Sequence, residues 1–227
     1  MSNLATRPRQ RTATQRAADQ IRELIFSGEL TADSNHLESE LATRLGISRT
    51  PVREATLMLQ AFGLLEVQPR KGVRIRAITV EDIHEICLVV TELKCLAAKE
   101  AANKNYSVED LLPLSNSIDA LEIAQKSNQK EDWAEAKKSL KGVLVELSAN
   151  NHIAETVHKF HDQLSRVWRI ALSMDSIPQQ PTDAYRAVHD AILAGNSEDA
   201  TRKLREHSEH ECAFLMNVFD KSGLKRV

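Results

Sequence analysis

The sequence predicts a mainly α-helical protein in two parts: three short helices closed by a β-hairpin, then an all-α antiparallel bundle of about six helices. Three observations carry that expectation. Apolar residues make up 42% of the 227, aromatics only 4%, and glycine and proline are few. The chain is rich in Ala and Leu, which lose little side-chain freedom in a helix. β-prone runs are confined to a short stretch around Pro69, and helical periodicity with capping and stop residues accounts for the rest.

Thr14 to Phe26 reads as a helix, with Ala17, Ile21, Leu24 and Ile25 on one face and Gly28 as its stop. Glu38 to Leu45 is a shorter helix that turns Leu41, Ala42 and Leu45 inward. Gly46 ends it by taking the left-handed conformation that a helix C-terminus needs. Ser48 can cap the third helix, Pro51 fits its first turn, and Gly63 closes it. Leu64 to Gln68 and Val73 to Ile78 are strands joined by Pro69-Arg-Lys-Gly72, a hairpin with a basic tip. Thr79, with Asp82 three residues on, opens a helix that runs to about Asn103. Further helices are expected over 107–127, 130–149, 152–174, 181–194 and 197–219, with breaks such as Asn150-Asn151, Asp175-Ser-Ile-Pro178 and Gly195-Asn196. Six such segments with short links pack as an antiparallel bundle.

Charge divides the chain at the same place. Residues 1–78 carry 12 Lys+Arg against 8 Asp+Glu, whereas residues 79–227 carry 18 against 24. A basic head on an acidic body suits nucleic acid as the head's partner. The division expected is a basic arm over 1–11, a head over 12–78 and a body over 79–227. No apolar run reaches the length of a membrane span, and the N-terminus lacks a secretory signal. Cys87, Cys95 and Cys212 show no metal-ligand spacing and suit a reducing cytoplasm as small core residues.

Three helices and a hairpin in this order make a winged helix-turn-helix. On the third helix Val52, Ala55, Leu59 and Phe62 recur at intervals of three and four, which assigns them to the packing face. Arg49, Arg53, Thr56 and Gln60 fall on the opposite face. A helix fits the major groove of DNA, and Arg can bond both O6 and N7 of one guanine. Ser48, Thr50 and the free N–H groups at the helix start suit phosphate oxygens. Arg70 and Lys71 at the hairpin tip reach toward the adjacent groove or backbone.

SGELTADSNHLESELATRLGISRTPVREATLMLQAFGLLEVQPRKGVRI resembles the DNA-binding head of GntR-type bacterial transcription regulators, over about residues 12–78. The specific part is SRTPVRE, followed by L-x-x-x-G-L and a basic wing ending in glycine. The resemblance implies operator DNA as partner, with Ser48, Arg49, Thr50 and Arg53 on the recognition helix and Lys71 and Gly72 in the wing. The chain departs from the family pattern at three places. Ser39 stands where a DNA-contacting Arg is common, Ala32-Asp33 replaces a Pro-Gly turn, and His36 replaces an apolar residue.

Residues 79–220 resemble the FCD type of effector domain, through length, the six-helix pattern, Ser148-Ala-Asn150, Asp190-Ala-Ile-Leu-Ala-Gly-Asn196, Ala200 and His207. That resemblance implies a homodimer and a divalent metal, held by an Asp and a His four apart on one helix and by two later His, which helps to bind a small carboxylate effector. The four positions correspond to Lys137, Lys141, Tyr185 and His207, and the helix that usually supplies an effector-binding Arg and a Glu carries Val90 and Lys94. An ammonium group repels a metal, so the family metal is expected to be lost. Lys94, Lys137, Lys141, Tyr185 and His207 are then expected around a metal-free pocket for an anionic, organic-acid-like metabolite; the competing expectation is that the lysines lie on a wet helix face. Two H-x-x-H pairs, His158 with His161 and His207 with His210, offer a rival metal site.

The function expected is a dimeric transcription regulator, with repression the commoner mode in the family, that reads a palindromic operator in the cytoplasm under control of that metabolite. Two other readings compete: a DNA-binding protein whose bundle only dimerises, and a metal-dependent enzyme of the helical body. The chain lacks H-E-x-x-H, a Gly-rich phosphate loop, a nucleophile elbow and a Cys-rich metal site, so no enzyme is expected.

Overall fold

The computed structural model describes residues 11–174, 177 and 182–227, which form two compact units meeting between Arg76 and Ala77. Most of the expected basic arm lies outside the described residues, as does most of the break at 175–178. The division falls two residues before the expected end of the head. Ile78 belongs to the second unit, where it is buried and exchanges backbone hydrogen bonds with Val227 at 2.8 and 2.9 Å.

The first unit holds α1 (Ala13–Phe26), β1 (Asn35–His36), α2 (Glu38–Leu45), α3 (Arg49–Ala61), β2 (Leu65–Gln68) and β3 (Gly72–Ile75). Thr12 and Gln15 cap α1 reciprocally, and Gly46 ends α2 at φ 64°. Ala17, Ile21, Ile25, Leu41, Val52, Ala55 and Leu59 close one core between the three helices and the sheet. Burial of a Leu or Ile side chain contributes about 1.5–3 kcal/mol, so this small core sets the position of α3. The strands form an antiparallel sheet in the order β1-β3-β2, with Leu65 opposite Ile75 and His36 opposite Val73. Sequence periodicity does not show β1, a strand of two residues.

Two turns in this unit place a residue other than glycine in the left-handed region. Ser34 N–H donates to Thr31 O, and Asp33 takes φ 61°, where a glycine is usual. Asp33 Oδ1 accepts from Arg74 at 2.6 Å, which holds that left-handed residue against β3. At the wing tip Lys71 N–H donates to Gln68 O, with Pro69 and Arg70 in the centre and Arg70 at φ 64°. Gly72 follows at φ 88°, and a Cβ there would lie 2.2 Å from His36 O.

The second unit holds α4 (Val80–Ala102), α5 (Leu112–Ser127), α6 (Lys130–Glu146), α7 (Asn151–Met174), α8 (Asp183–Leu193) and α9 (Ser197–Ser222). Thr79 and Asp82 form the capping box expected for α4. The fifth helix starts at Leu112 rather than 107. Ser107 and Asp110 do exchange capping hydrogen bonds, but Pro113 has no N–H to continue the ladder back to Glu109. α4 and α9 pack along each other, α6 and α7 cover one side, and α8 lies against α9. Trp168 lies 5.7 Å from Trp133 and stacks on Phe214 at 5.6 Å.

Candidate functional site

The outer face of α3 presents Arg49, Thr50 and Arg53 to solvent, with Ser48 exposed just before them. Ser48 occupies the N-cap position, yet its side chain makes no capping hydrogen bond. Among the described residues Arg49 and Arg53 enter no ion pair or side-chain hydrogen bond. The nearby acids are engaged elsewhere: Glu54 Oε2 accepts from Thr14 Oγ1 at 2.6 Å, and Glu38 Oε1 accepts from Thr56 Oγ1 at 3.3 Å. Two guanidinium groups one turn apart thus stand free over a helix whose other face is anchored.

Thr56 is a correction to the sequence expectation. It is fully buried, and its hydroxyl also donates to Arg53 O at 2.8 Å. A threonine that bonds its own helix carbonyl satisfies its polar atom and can turn inward. Gln60 is exposed as expected, but its Oε1 accepts from Val67 N at 2.6 Å and ties α3 to β2. Lys71 is exposed at the wing tip, Gly72 is held by its close approach to β1, and Ser39 is half-buried near the start of α2.

In the body the five expected residues converge, on a carboxylate that the sequence reading did not assign to the site. Lys94, Lys137 and Lys141 are 3%, 5% and 8% exposed, and Glu211 is 3% exposed, which rules out a wet helix face. Glu211 Oε2 meets Lys141 Nζ at 2.8 Å and Lys94 Nζ at 3.6 Å. Its Oε1 meets Lys137 Nζ at 2.9 Å, accepts from Tyr185 Oη at 3.2 Å and pairs with His207 Nε2 at 3.2 Å. Lys137 Nζ also sits 3.6 Å from the ring centroid of Trp168 and 4.2 Å from that of Trp133. α4, α6, α8 and α9 therefore meet at one carboxylate.

The charges respond to that burial. Burial lowers the Lys137 ammonium from its ordinary range to about 7, with Glu211 opposing the change. Lys94 and His207 move down for the same first reason. Burial alone would raise the Glu211 carboxyl, but Lys137, Lys141 and Lys94 hold it well below the usual carboxylate range. Burial, and next the Glu211 charge, push the Tyr185 hydroxyl well up, so it stays a donor.

Beside Glu211 lies a cavity of about 20 Å³, room for about one water. Lys94, Lys141, His161 and Trp168 line it, and among the described residues His161 Nε2 has no hydrogen-bond partner. His161 is the second residue the sequence reading did not place in this site. Lys137, Tyr185 and His207 meet Glu211 through its Oε1 and are not part of the cavity lining.

These residues do not fit a divalent metal. Lys137 and Lys141 are ion-paired to Glu211, and among the described residues no group of three His, Cys, Asp or Glu could hold an ion. The H-x-x-H pairs do not converge either: His161 and His207 are buried, whereas His158 faces Glu146 at the surface and His210 is exposed. Among the described residues no helix is long and apolar enough to cross a membrane.

Comparison with known proteins matches both units. Residues 13–75 match the model described as bacterial regulatory proteins, gntR family, and residues 85–210 match the FCD domain. The uncharacterized HTH-type transcriptional regulator YdhC of Bacillus subtilis is 24% identical over 204 residues, 89% of this chain and 91% of that one. The HTH-type transcriptional repressor RspR of Escherichia coli is 21% identical over 170 residues, 75% and 74% of the two chains. The solved structure of E. coli McbR/YncC superposes with a TM-score of 0.80 at 20% identity, covering 92% of this chain and all of that one. At that identity the likeness bears on the fold alone.

Proposed function

The chain belongs to the gntR family of bacterial regulatory proteins and carries an FCD domain, and from that premise we propose that this transcription regulator binds a palindromic operator as a homodimer and represses under the control of a small anionic metabolite. The single observation that supports operator reading is the exposed pair Arg49 and Arg53, free of protein carboxylates on a helix pinned from behind. In this reading each α3 of the dimer enters a major groove. Arg49 and Arg53 take base edges, Ser48 and Thr50 take phosphate, and Lys71 at the wing takes the neighbouring backbone. Ser39 adds a short contact where an arginine is common in the family. The protein works in the cytoplasm, where operator DNA lies. Fluorescence anisotropy with genomic fragments upstream of its own gene, at low and moderate salt, tests this. Absence of any complex at low salt would end the proposal.

For the body, three ammonium groups share one carboxylate in a buried site. A cationic excess of that kind favours a second anion, because unneutralised buried charge is costly. A metabolite carboxylate bound beside Lys94, Lys141 and His161 would supply it. The site as it stands has room for about one water, so the metabolite must enter by moving a wall. A cleft of about 310 Å³ between α4 and α9 shares Cys87, Thr91 and Cys212 with that wall and has the size of a ligand site. The smallness of the inner cavity favours a second reading, in which Glu211 completes the site and the bundle only dimerises. A thermal-shift screen of organic acids separates the two, since a true effector raises Tm with concentration. Lys137→Ala with Lys141→Ala should abolish any response, and a retained response would place the effector elsewhere.

A further inference from the structure

Hydrogen-bond donors outnumber acceptors around the inner cavity. Lys94, Lys141, His161 and Glu211 line it, against an apolar wall that includes Val90 and Trp168. The Glu211 carboxylate is already shared by three ammonium groups, Tyr185 Oη and His207 Nε2. The only other side-chain oxygen in the lining belongs to Thr91. An ammonium carries three protons and accepts nothing. Lys141 Nζ meets Glu211 at 2.8 Å, but Lys94 Nζ stands at 3.6 Å, too far for a hydrogen bond. Among the described residues neither ammonium has another acceptor. His161 is 8% exposed, and its Nε2 is unpartnered among the described residues. Burial, then the charges of Lys141 and Lys94, hold its imidazole well below the ordinary range, so the ring is neutral and can present an N–H at Nε2. Three donors on two helices and a third thus border one small space.

We propose that this cavity is a halide site, in which chloride is held by Lys94, Lys141 and His161 Nε2. A water of the same size must place two protons of its own, and the strongest acceptor here is already shared five ways. A monatomic anion needs donors alone. It also meets the charge imbalance: three ammonium groups against one carboxylate leave an excess of two positive charges, and unneutralised buried charge is costly. The volume of about 20 Å³ suits a single atom and excludes the carboxylate and carbon chain of an organic acid unless a wall moves. Glu211 Oε2 repels the ion, and the two lysines that pair with that oxygen offset the repulsion. The inference rests on the reading of this cluster as an anion site and changes which anion holds it at rest. Chloride occupies the closed cavity, and an organic acid that enters past the moved wall displaces it. The two anions then compete, so the concentration of organic acid that gives a fixed response rises with chloride.

The test crystallises the full-length protein with sodium bromide in place of chloride and collects diffraction at the bromine edge. The expected result is an anomalous peak between Lys94 Nζ, Lys141 Nζ and His161 Nε2. No peak there, or bromide at the surface as an adventitious ion only, overturns the assignment. In solution, melts in sodium chloride are compared with melts in sodium methanesulfonate at equal ionic strength, since methanesulfonate is too large for the cavity. Above the dissociation constant, each tenfold rise in chloride should raise the folding equilibrium constant about tenfold, beyond any effect of methanesulfonate. Lys94→Met should lose that chloride-specific gain; equal gains in the two salts count against the site. The bromide map of the unsubstituted protein decides by itself if the variant fails to fold. Bromide in the cavity with no organic acid that raises Tm leaves the halide site standing and ends metabolite control. Organic acids that raise Tm equally at all chloride concentrations, with no bromide in the cavity, do the reverse.

Discussion

Replacing Glu211 by glutamine probes the cluster most directly. Glutamine keeps the length of the side chain, and its oxygen can still accept from Tyr185 Oη. What disappears is the one negative charge that three ammonium groups face at 2.8, 2.9 and 3.6 Å. Removing one partner of a buried ion pair costs about 3–5 kcal/mol, because the other charge stays buried and uncompensated. Lys137 softens that loss by shedding its proton, since burial already brings it to about 7. The expected cost is therefore at the lower end, about 3 kcal/mol, or a fall in Tm of about 6–12 °C for a unit of this size. The dependence on pH has a definite sign. Without Glu211, Lys137 titrates lower than in the parent, so between the two values the folded variant holds fewer protons than the folded parent. Relative stability then gains as pH rises, and the deficit narrows from about pH 5.5 to about pH 8. Urea denaturation at both pH values measures it. A deficit below about 1 kcal/mol at neutral pH, or one that stays flat with pH, refutes a buried cationic cluster neutralised by one carboxylate.

Arg49→Ala and Arg53→Ala should each weaken specific operator binding by about 1–3 kcal/mol and leave folding within about 0.5 kcal/mol; anisotropy that shows no loss removes the base-reading role. Lys71→Ala should weaken all sequences alike and reduce the slope of log K against log salt by about 1, read from a salt titration. Gly72→Ala forces a Cβ to 2.2 Å from His36 O at φ 88°. It should destabilise the first unit by at least about 1–3 kcal/mol in thermal melts, and an unchanged melt would mean that the wing can repack. Lys137→Met removes a group that titrates at about 7 in the folded chain and near 10.4 unfolded. The parent should gain stability with pH above about 7 and the variant should gain less, as denaturation at about pH 7 and about pH 9 would show.

The helices were legible where local chemistry fixes them. Thr79 with Asp82 and Gly46 in its left-handed turn sit where sequence placed them, because a cap is satisfied within one turn of chain. β1 escaped notice because Asn35 and His36 become a strand only by pairing with Val73 and Arg74, far along the sequence. Thr56 shares the spacing of Arg49 and Arg53, and spacing cannot tell that its hydroxyl is bonded to Arg53 O and Glu38 and so turns inward. The lysines were read as a cluster, but their partner was not. Glu211 stands four residues after His207, in line with buried Leu204 and Leu215, and an acid on such an inward stripe was the available signal. His161 gave only a weaker cue, one histidine of a pair, since which of the two faces inward depends on how α7 packs.

The cluster also bears on how a bound anion could matter to the rest of the chain. Glu211 and His207 ride on α9, Lys137 and Lys141 on α6, Lys94 on α4 and Tyr185 on α8. An anion shifts a conformational equilibrium only by the difference in its affinity for the two states. Under the proposed effector binding that difference has a source: a second anion that pairs with Lys94 and Lys141 shares them with Glu211, which would loosen the hold of α9 on α4 and α6. α9 leads through Gly223 into the segment whose Val227 pairs with Ile78, the second residue after Arg76 at the end of the first unit. Under the proposed effector control, a change in the hold on α9 would reach the backbone hydrogen bonds between Val227 and Ile78, whereas a cluster built on helices remote from Ile78 would have no such route.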